Sequence, residues 1–163
     1  MIKQNDRISL LKVISGILKG NSVNCALCLA LRYYFLLVQE GGYSVQKELA
    51  SIDIGYFLRF KGKMEAVCFE AAKVILQLGE IDHASEELIV SAVKAMSLYL
   101  RSAKQVPKFA AIKLLNAFSK KYPAIVAKYA NSDIEALITE SNRSIATYAI
   151  TTLLKTGNEQ SID

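Results

Sequence analysis

The sequence predicts an all-α protein built as a stack of helical repeats, and three observations carry that expectation. Breakers are scarce: 2 prolines and 8 glycines among 163 residues are too few for a sandwich or barrel with many tight turns. Apolar residues recur at helical spacing along most of the chain, and no strand hairpin pattern interrupts them. A small residue four positions before a leucine also returns at a regular interval. Ala72, Ala111 and Ala149 correspond, as do Leu76, Leu115 and Leu153. The interval is 39 residues (111 − 72) and then 38 (149 − 111), close to the roughly 40-residue HEAT or armadillo unit. Alanine lets neighbouring helices approach while leucine fills the groove between them. A single helix pair cannot bury its own faces, so stacking follows. The expected fold is a right-handed α-solenoid of HEAT- or armadillo-like repeats, with residues 1–163 as one section. The N-terminal helices fit the interval less clearly, and a generic helical bundle is the alternative.

The elements are justified in chain order. Asp6 can cap a first helix that ends near Gly20, with Leu10, Val13, Ile14 and Ile17 on one face. Ser22 can cap a second, which runs through Cys25, Leu29, Leu36 and Gln39 to a stop at Gly41-Gly42. A third is expected from Ser44 to about Phe60, although Gly55 weakens it by roughly 1 kcal/mol relative to Ala. Lys61-Gly62-Lys63 breaks the chain before a fourth, Met64 to Leu78, which is expected to end at Gly79. Ser85, followed by Glu86, Glu87 and Leu88, opens a fifth that reaches about Ser102. Pro107 suits the first turn of a sixth that lasts to Lys121. Pro123 starts a short seventh, and Ser132 or Asp133 an eighth. Asn142 caps the ninth, and Gly157 lies where a left-handed stop would fall. In that last helix Ile145, Ala149, Leu153 and Thr156, with Ala146, Ile150 and Leu154 beside them, make a stripe wide enough to be buried on more than one side.

Composition narrows the function classes. The hydrophobic fraction of 52% and mean hydropathy of +0.25 are high, but the longest strongly apolar run, Cys25 to Val38, contains Arg32 and two tyrosines. It falls short of the roughly 20 residues that cross a bilayer. The opening MIKQNDRISLLKVISGILKG is interrupted by Asp6 and Arg7 and lacks a small-residue cleavage site, so it reads as an amphipathic helix rather than a leader. Solenoids usually finish in a polar capping repeat, whereas Asn158 to Asp163 reads as the start of a further helix. The expectation is a middle section of a longer run of repeats, with apolar faces open at both ends.

No catalytic constellation is found. Cys25 and Cys28 form a Cys-x-x-Cys pair with Cys68 as the third cysteine, but a metal site needs four ligands and His83 is the sole histidine. The pair sits among Ala26, Leu27 and Leu29, where cysteine acts as a small apolar residue, and the odd cysteine count fits a reducing compartment. No nucleophile motif accompanies His83. Gly41-Gly42 follows a helix and precedes no Lys-Ser/Thr pair, so it is no phosphate loop. Glu86 and Glu87 belong to a first turn. Ser141, Asn142, Arg143 and Ser144 could either bind an anion at a helix start or form an ordinary cap. No cofactor or metal is called for.

Charge is more informative than chemistry. The net charge is +5, yet Leu88 to Ser132 contains no carboxylate at all. The same stretch holds Lys94, Arg101, Lys104, Lys108, Lys113, Lys120, Lys121 and Lys128, eight of the 20 basic residues; the remainder is acidic by 12 − 15 = −3. This run, with Arg143 beyond it, is either a solvated helix face or a docking surface for an acidic partner or an anionic membrane. Nucleic acid is not expected, because Tyr99, Phe109, Phe118, Tyr122 and Tyr129 mostly take core positions instead of a stacking platform.

The stretch Ser141 to Gly157, SNRSIATYAITTLLKTG, resembles the gamma subunits of coatomer, the Golgi vesicle coat, in the trunk domain they share with the adaptins. The resemblance continues through Asn158 to Asp163 and back to Asp133, and more loosely to the first helix, DRISLLKVISGILKG. Leu31 to Leu37, LRYYFLL, is more aromatic than that family, and Lys104 to Lys121 matches only in pattern. The resemblance implies a curved, non-catalytic α-solenoid that assembles with the small zeta subunit and the other large coatomer subunits. It further implies recruitment by a GTP-bound Arf-family GTPase through the full trunk, and a peripheral place on the cytosolic face of Golgi membranes and COPI-coated vesicles. No family motif assigns GTPase or zeta contacts to particular residues here. The rival readings are an adaptor-complex large subunit and a basic helical-repeat scaffold for nucleic acid or nuclear cargo.

Overall fold

The computed structural model describes residues 12–14, 16–17, 24–40, 54–59, 65–82 and 84–157. Among these it holds six α-helices, one 3₁₀ segment and no strand. The helices are α1 (Asn24–Glu40), α2 (Glu65–Glu80), α3 (Glu86–Tyr99), α4 (Gln105–Lys121), α5 (Pro123–Glu135) and α6 (Arg143–Thr156). The fold is all-α, as the pattern predicts. The chain divides into two compact units between His83 and Ala84.

In the first unit α1 and α2 pack together, and the 3₁₀ segment Ile54–Arg59 packs on α2. Leu27, Leu31, Tyr34 and Val38 recur at helical spacing on α1 and are buried, as are Val67, Ala71, Ile75 and Leu78 on α2. Each leucine, valine and isoleucine of this set contributes about 1.5–3 kcal/mol when fully removed from water. Buried Cys68 donates its thiol to the Leu58 carbonyl at 3.5 Å, tying α2 to the 3₁₀ segment. At the edge of the unit Arg32 Nε meets Glu70 Oε1 at 3.0 Å, and that hydrogen bond with its charge raises the guanidinium pKa.

The second unit shows the repeat directly. Phe109 of α4 meets Tyr148 of α6 edge to face at 5.6 Å, and Asn116 of α4 meets Lys155 of α6. Both helices advance together between these contacts, so α4 and α6 are parallel. The same holds for α3 and α5, where Lys94 lies against Tyr129 and Arg101, just past α3, against Asp133. Two layers result, α3 with α5 and α4 with α6, joined by short connections. The core lies between them, around Ile89, Val93, Met96, Ile112, Leu115, Phe118, Val126, Ile134 and Ile145. Ala72, Ala111 and Ala149 are all fully buried, as expected of a small residue that lets neighbouring helices approach.

Several boundaries differ from the sequence expectation. The helix expected from Ser44 to Phe60 is a 3₁₀ segment where it is described, at Ile54–Arg59, with Gly55 inside it. Gly79 does not end its helix: it is buried within the last turn of α2, and the left-handed residue is Asp82, φ 60°, a short polar side chain that tolerates that region. The seventh and eighth helices are one, α5, which runs through Ser132 and Asp133 to Glu135. The polar side chains there do not cap a new helix, because Asp133 reaches Arg101 and Asn131 accepts from Thr156 Oγ1 at 2.9 Å. Gly157 takes an extended conformation, φ −62° and ψ 131°, instead of a left-handed one, while its N–H closes the helix on the Leu153 carbonyl. In α6 one side alone is covered: Ile145, Ala149, Thr152 and Thr156 are buried, but Ile150 is 45% and Leu154 77% exposed. The helix expected from Asp6 to Gly20 is described only at residues 12–14 and 16–17, which are helical. The Ser22 cap, the Gly41-Gly42 stop, the Lys61-Gly62-Lys63 break, His83 and Asn158 to Asp163 lie outside the described residues.

Candidate functional site

The basic run is sorted by its partners in the second unit. Arg101 is committed: its guanidinium holds both Asp133 carboxylate oxygens, at 2.8 and 3.4 Å, which raises the Arg101 pKa. Lys108 is committed too, with Nζ 3.3 Å from Glu140 Oε2 in a part-buried pair. Gln105 Nε2 donates to the other Glu140 oxygen at 3.1 Å; these two hydrogen bonds, Gln105 first, lower the Glu140 pKa below the usual carboxylate range. Both acids come from outside the carboxylate-free stretch. Lys94 and Lys128 converge on one ring in the α3/α5 layer, their ammonium groups 4.9 and 5.3 Å from the Tyr129 centroid. Beside them an open groove is lined by Ser85, Glu86, Glu87, Val90 and Ser91.

The remaining cations lie on or beside the α4/α6 layer. Lys104 is exposed at the N-cap of α4, its backbone N–H on Ser102 Oγ at 3.1 Å. Lys113 and Lys120 are exposed on α4, and Lys121 lies 5.8 Å from the Tyr122 centroid. Arg143 is exposed at the first position of α6. There Asn142 Oδ1 already accepts from Ser144 N–H at 3.0 Å and Ile145 N–H at 3.3 Å, so the cap takes the amides an anion would need.

Sequence reasoning missed the polar bridge between α4 and α6. Asn116, 8% exposed, donates from Nδ2 to Thr151 Oγ1 at 3.2 Å and Thr152 Oγ1 at 3.0 Å. Its Oδ1 accepts from Lys155 Nζ at 2.9 Å. The one signal was a lone asparagine amid apolar residues on a helix with a buried face. Among the described residues no group of three or more His, Cys, Asp or Glu could hold a metal ion, and no helix is long and apolar enough to cross a membrane. Cys28 is half-buried and Cys68 buried.

Comparison with known proteins decides the family of the chain. The profile of the adaptin N-terminal region matches residues 2–163. The chain belongs to that family. This adaptin-family chain is similar to coatomer subunit gamma-1 of Oryza sativa subsp. japonica at 40% identity, coatomer subunit gamma of Arabidopsis thaliana at 36% and coatomer subunit gamma-1 of Homo sapiens at 38%. Each match covers 99% of this chain and 18% of the relative, so the chain spans about a fifth of their length. The adaptin-family match runs across both compact units. No solved structure matches the chain.

Proposed function

We propose that this adaptin-family chain is a section of a non-catalytic scaffold subunit of a coatomer-type vesicle coat, with all 163 residues belonging to one run of repeats. The observation that carries the reading is 36–40% identity to coatomer gamma subunits over 99% of the chain. The parallel helix layers support it physically, since stacked helix pairs offer long faces for other proteins and no cleft with convergent reactive groups. In this reading the chain holds other coat subunits, the small zeta subunit among them, on the cytosolic face of Golgi membranes and vesicles that carry protein between Golgi and endoplasmic reticulum. The full trunk contacts an Arf-family GTPase, and membrane association is peripheral. Lys94, Lys104, Lys113, Lys120, Lys121 and Arg143 form the exposed basic part of the contact surface, whereas Arg101 and Lys108 serve the fold through Asp133 and Glu140.

Co-purification of this chain, and of a longer trunk that contains it, with the matching zeta subunit tests the proposal. Capture by both places the small-subunit seat in these repeats. Capture by the longer trunk alone makes this section a spacer within the coat subunit. Capture by neither removes the coat reading and leaves a helical-repeat scaffold.

A further inference from the structure

We infer that the seam between α4 and α6 is a docking track for an extended acidic segment of a protein partner, with Lys113, Lys120 and Lys155 as its cations. The inference rests on the scaffold reading and deepens it by naming the chemistry of a partner.

Four observations carry it. Neither helix contains a carboxylate: α4 reads QVPKFAAIKLLNAFSKK and α6 reads RSIATYAITTLLKT. Lys113 and Lys120 lie at −3 and +4 from Asn116 on α4, which puts both within one turn of the residue that bridges to α6 and on the same edge of the helix. Both are exposed, and neither has an ion pair or hydrogen bond among the described residues. The third cation is held from below, because the buried Asn116 amide oxygen fixes the Lys155 ammonium at the seam. Holding a lysine still costs side-chain entropy, and a ligand then meets a charge already in place.

The spacing suits an extended chain. Lys113 and Lys120 are about 10 Å apart along the helix axis, with Asn116 and Lys155 between them. Carboxylates on alternate residues of an extended peptide recur about every 7 Å, within the reach of flexible lysines so placed. The exposed Thr151 hydroxyl at the same edge accepts from Asn116 and donates to the Thr147 carbonyl, which leaves one lone pair for a peptide N–H. A lipid surface fits less well, because it needs the cations on one face, and Lys94 and Lys128 meet at Tyr129 in the other layer. Asp133 and Glu140, the acids seen to pair with the basic run, are engaged by Arg101 and by Gln105 and Lys108.

The test uses the whole chain and a short, blocked, fluorescent peptide of alternating Glu and Ser, with the Gln analogue as control. Binding is followed by anisotropy at low salt and at about 0.15 M. The acidic peptide is expected to bind and the Gln analogue not. Lys113→Glu with Lys120→Glu should weaken binding on the order of tenfold, while Lys128→Glu with Lys73→Glu, an exposed lysine of α2, stays within about twofold. Lys155→Gln and Asn116→Leu should each weaken it severalfold, with circular dichroism confirming that every variant is folded. Equal loss in the Lys73/Lys128 variant would overturn the proposal in favour of diffuse attraction. Phosphatidylserine vesicles captured through Lys113 and Lys120, with no peptide binding, would overturn it in favour of a membrane contact. No binding of either probe would also overturn it. Since no coat subunit enters this assay, its failure is separate from failed co-purification.

Discussion

Replacing Asn116 with leucine tests whether the α4–α6 bridge stabilises the stack. The side chains are close in volume, so little cavity or strain is introduced, and the effect isolates the polar contacts. Three hydrogen bonds are lost: Nδ2 to Thr151 and Thr152, and Lys155 to Oδ1. No group is left orphaned in the core. Thr152, fully buried, keeps its own donation to the Tyr148 carbonyl at 2.6 Å, and Thr151 keeps its bond to Thr147 O at 2.8 Å. Lys155 returns to water. The Thr152 bond is thus lost in full, about 0.5–1.5 kcal/mol, and the two edge bonds in part because water replaces them. Added apolar burial offsets a fraction, which leaves a net destabilisation of about 1–2 kcal/mol. Urea unfolding followed by circular dichroism should show a lower midpoint with an unchanged slope. A double-mutant cycle with Thr152→Val should give a coupling of about 1 kcal/mol. A variant as stable as the parent, or strictly additive effects in the cycle, would refute the account of the bridge.

Three further outcomes are expected. Ala111→Leu should destabilise by about 1–3 kcal/mol in the same urea experiment, because the residue is fully buried and the extra carbons must displace packed neighbours. Asn142→Ala should cost about 1 kcal/mol through the two amides it caps at the start of α6, with faster amide exchange at Ser144 and Ile145 as the local readout. Burial pushes the Tyr34 phenol up to about 12 from the usual value near 10. Its folded pKa is raised, so its contribution is complete below about pH 10 and is lost as pH rises toward 12, on the order of 2 kcal/mol in all. Tyr34→Phe should remove that share of the alkaline loss in a pH series of urea midpoints.

Local signals in the sequence read well where the side chain acts on its own backbone. Ser85 and Asn142 cap as their types and positions suggest, and Pro107 sits in the first turn of its helix. The small-residue interval is legible because it depends on residue size and spacing alone: Ala72, Ala111 and Ala149 are all fully buried. Reading failed where a polar side chain is used sideways. Asp133 resembles a helix start until Arg101, 32 residues earlier, is seen to occupy it. Arg101 and Lys108 looked free because their acids lie beyond the carboxylate-free run, at Asp133 and Glu140. Lys155 was overlooked for the opposite reason, standing outside that run on a helix judged by its apolar stripe. Nothing local marks Asn116 as its holder, since the contact spans 39 residues.

The parallel order within each layer also has an electrical consequence. Every peptide unit carries a dipole along its helix, and helices that run the same way add their dipoles where antiparallel neighbours cancel. The α4/α6 layer therefore has unlike rims, with amide ends along one and carbonyl ends along the other. Lys120, Lys121 and Lys155 stand in the last turns, at the carbonyl rim, and Arg143 stands at the amide rim. Because the α3/α5 layer runs back the other way and the effect fades within a turn, each rim acts only on a group that touches it. Each further helix added in the same direction would lengthen both rims without changing the sign of either.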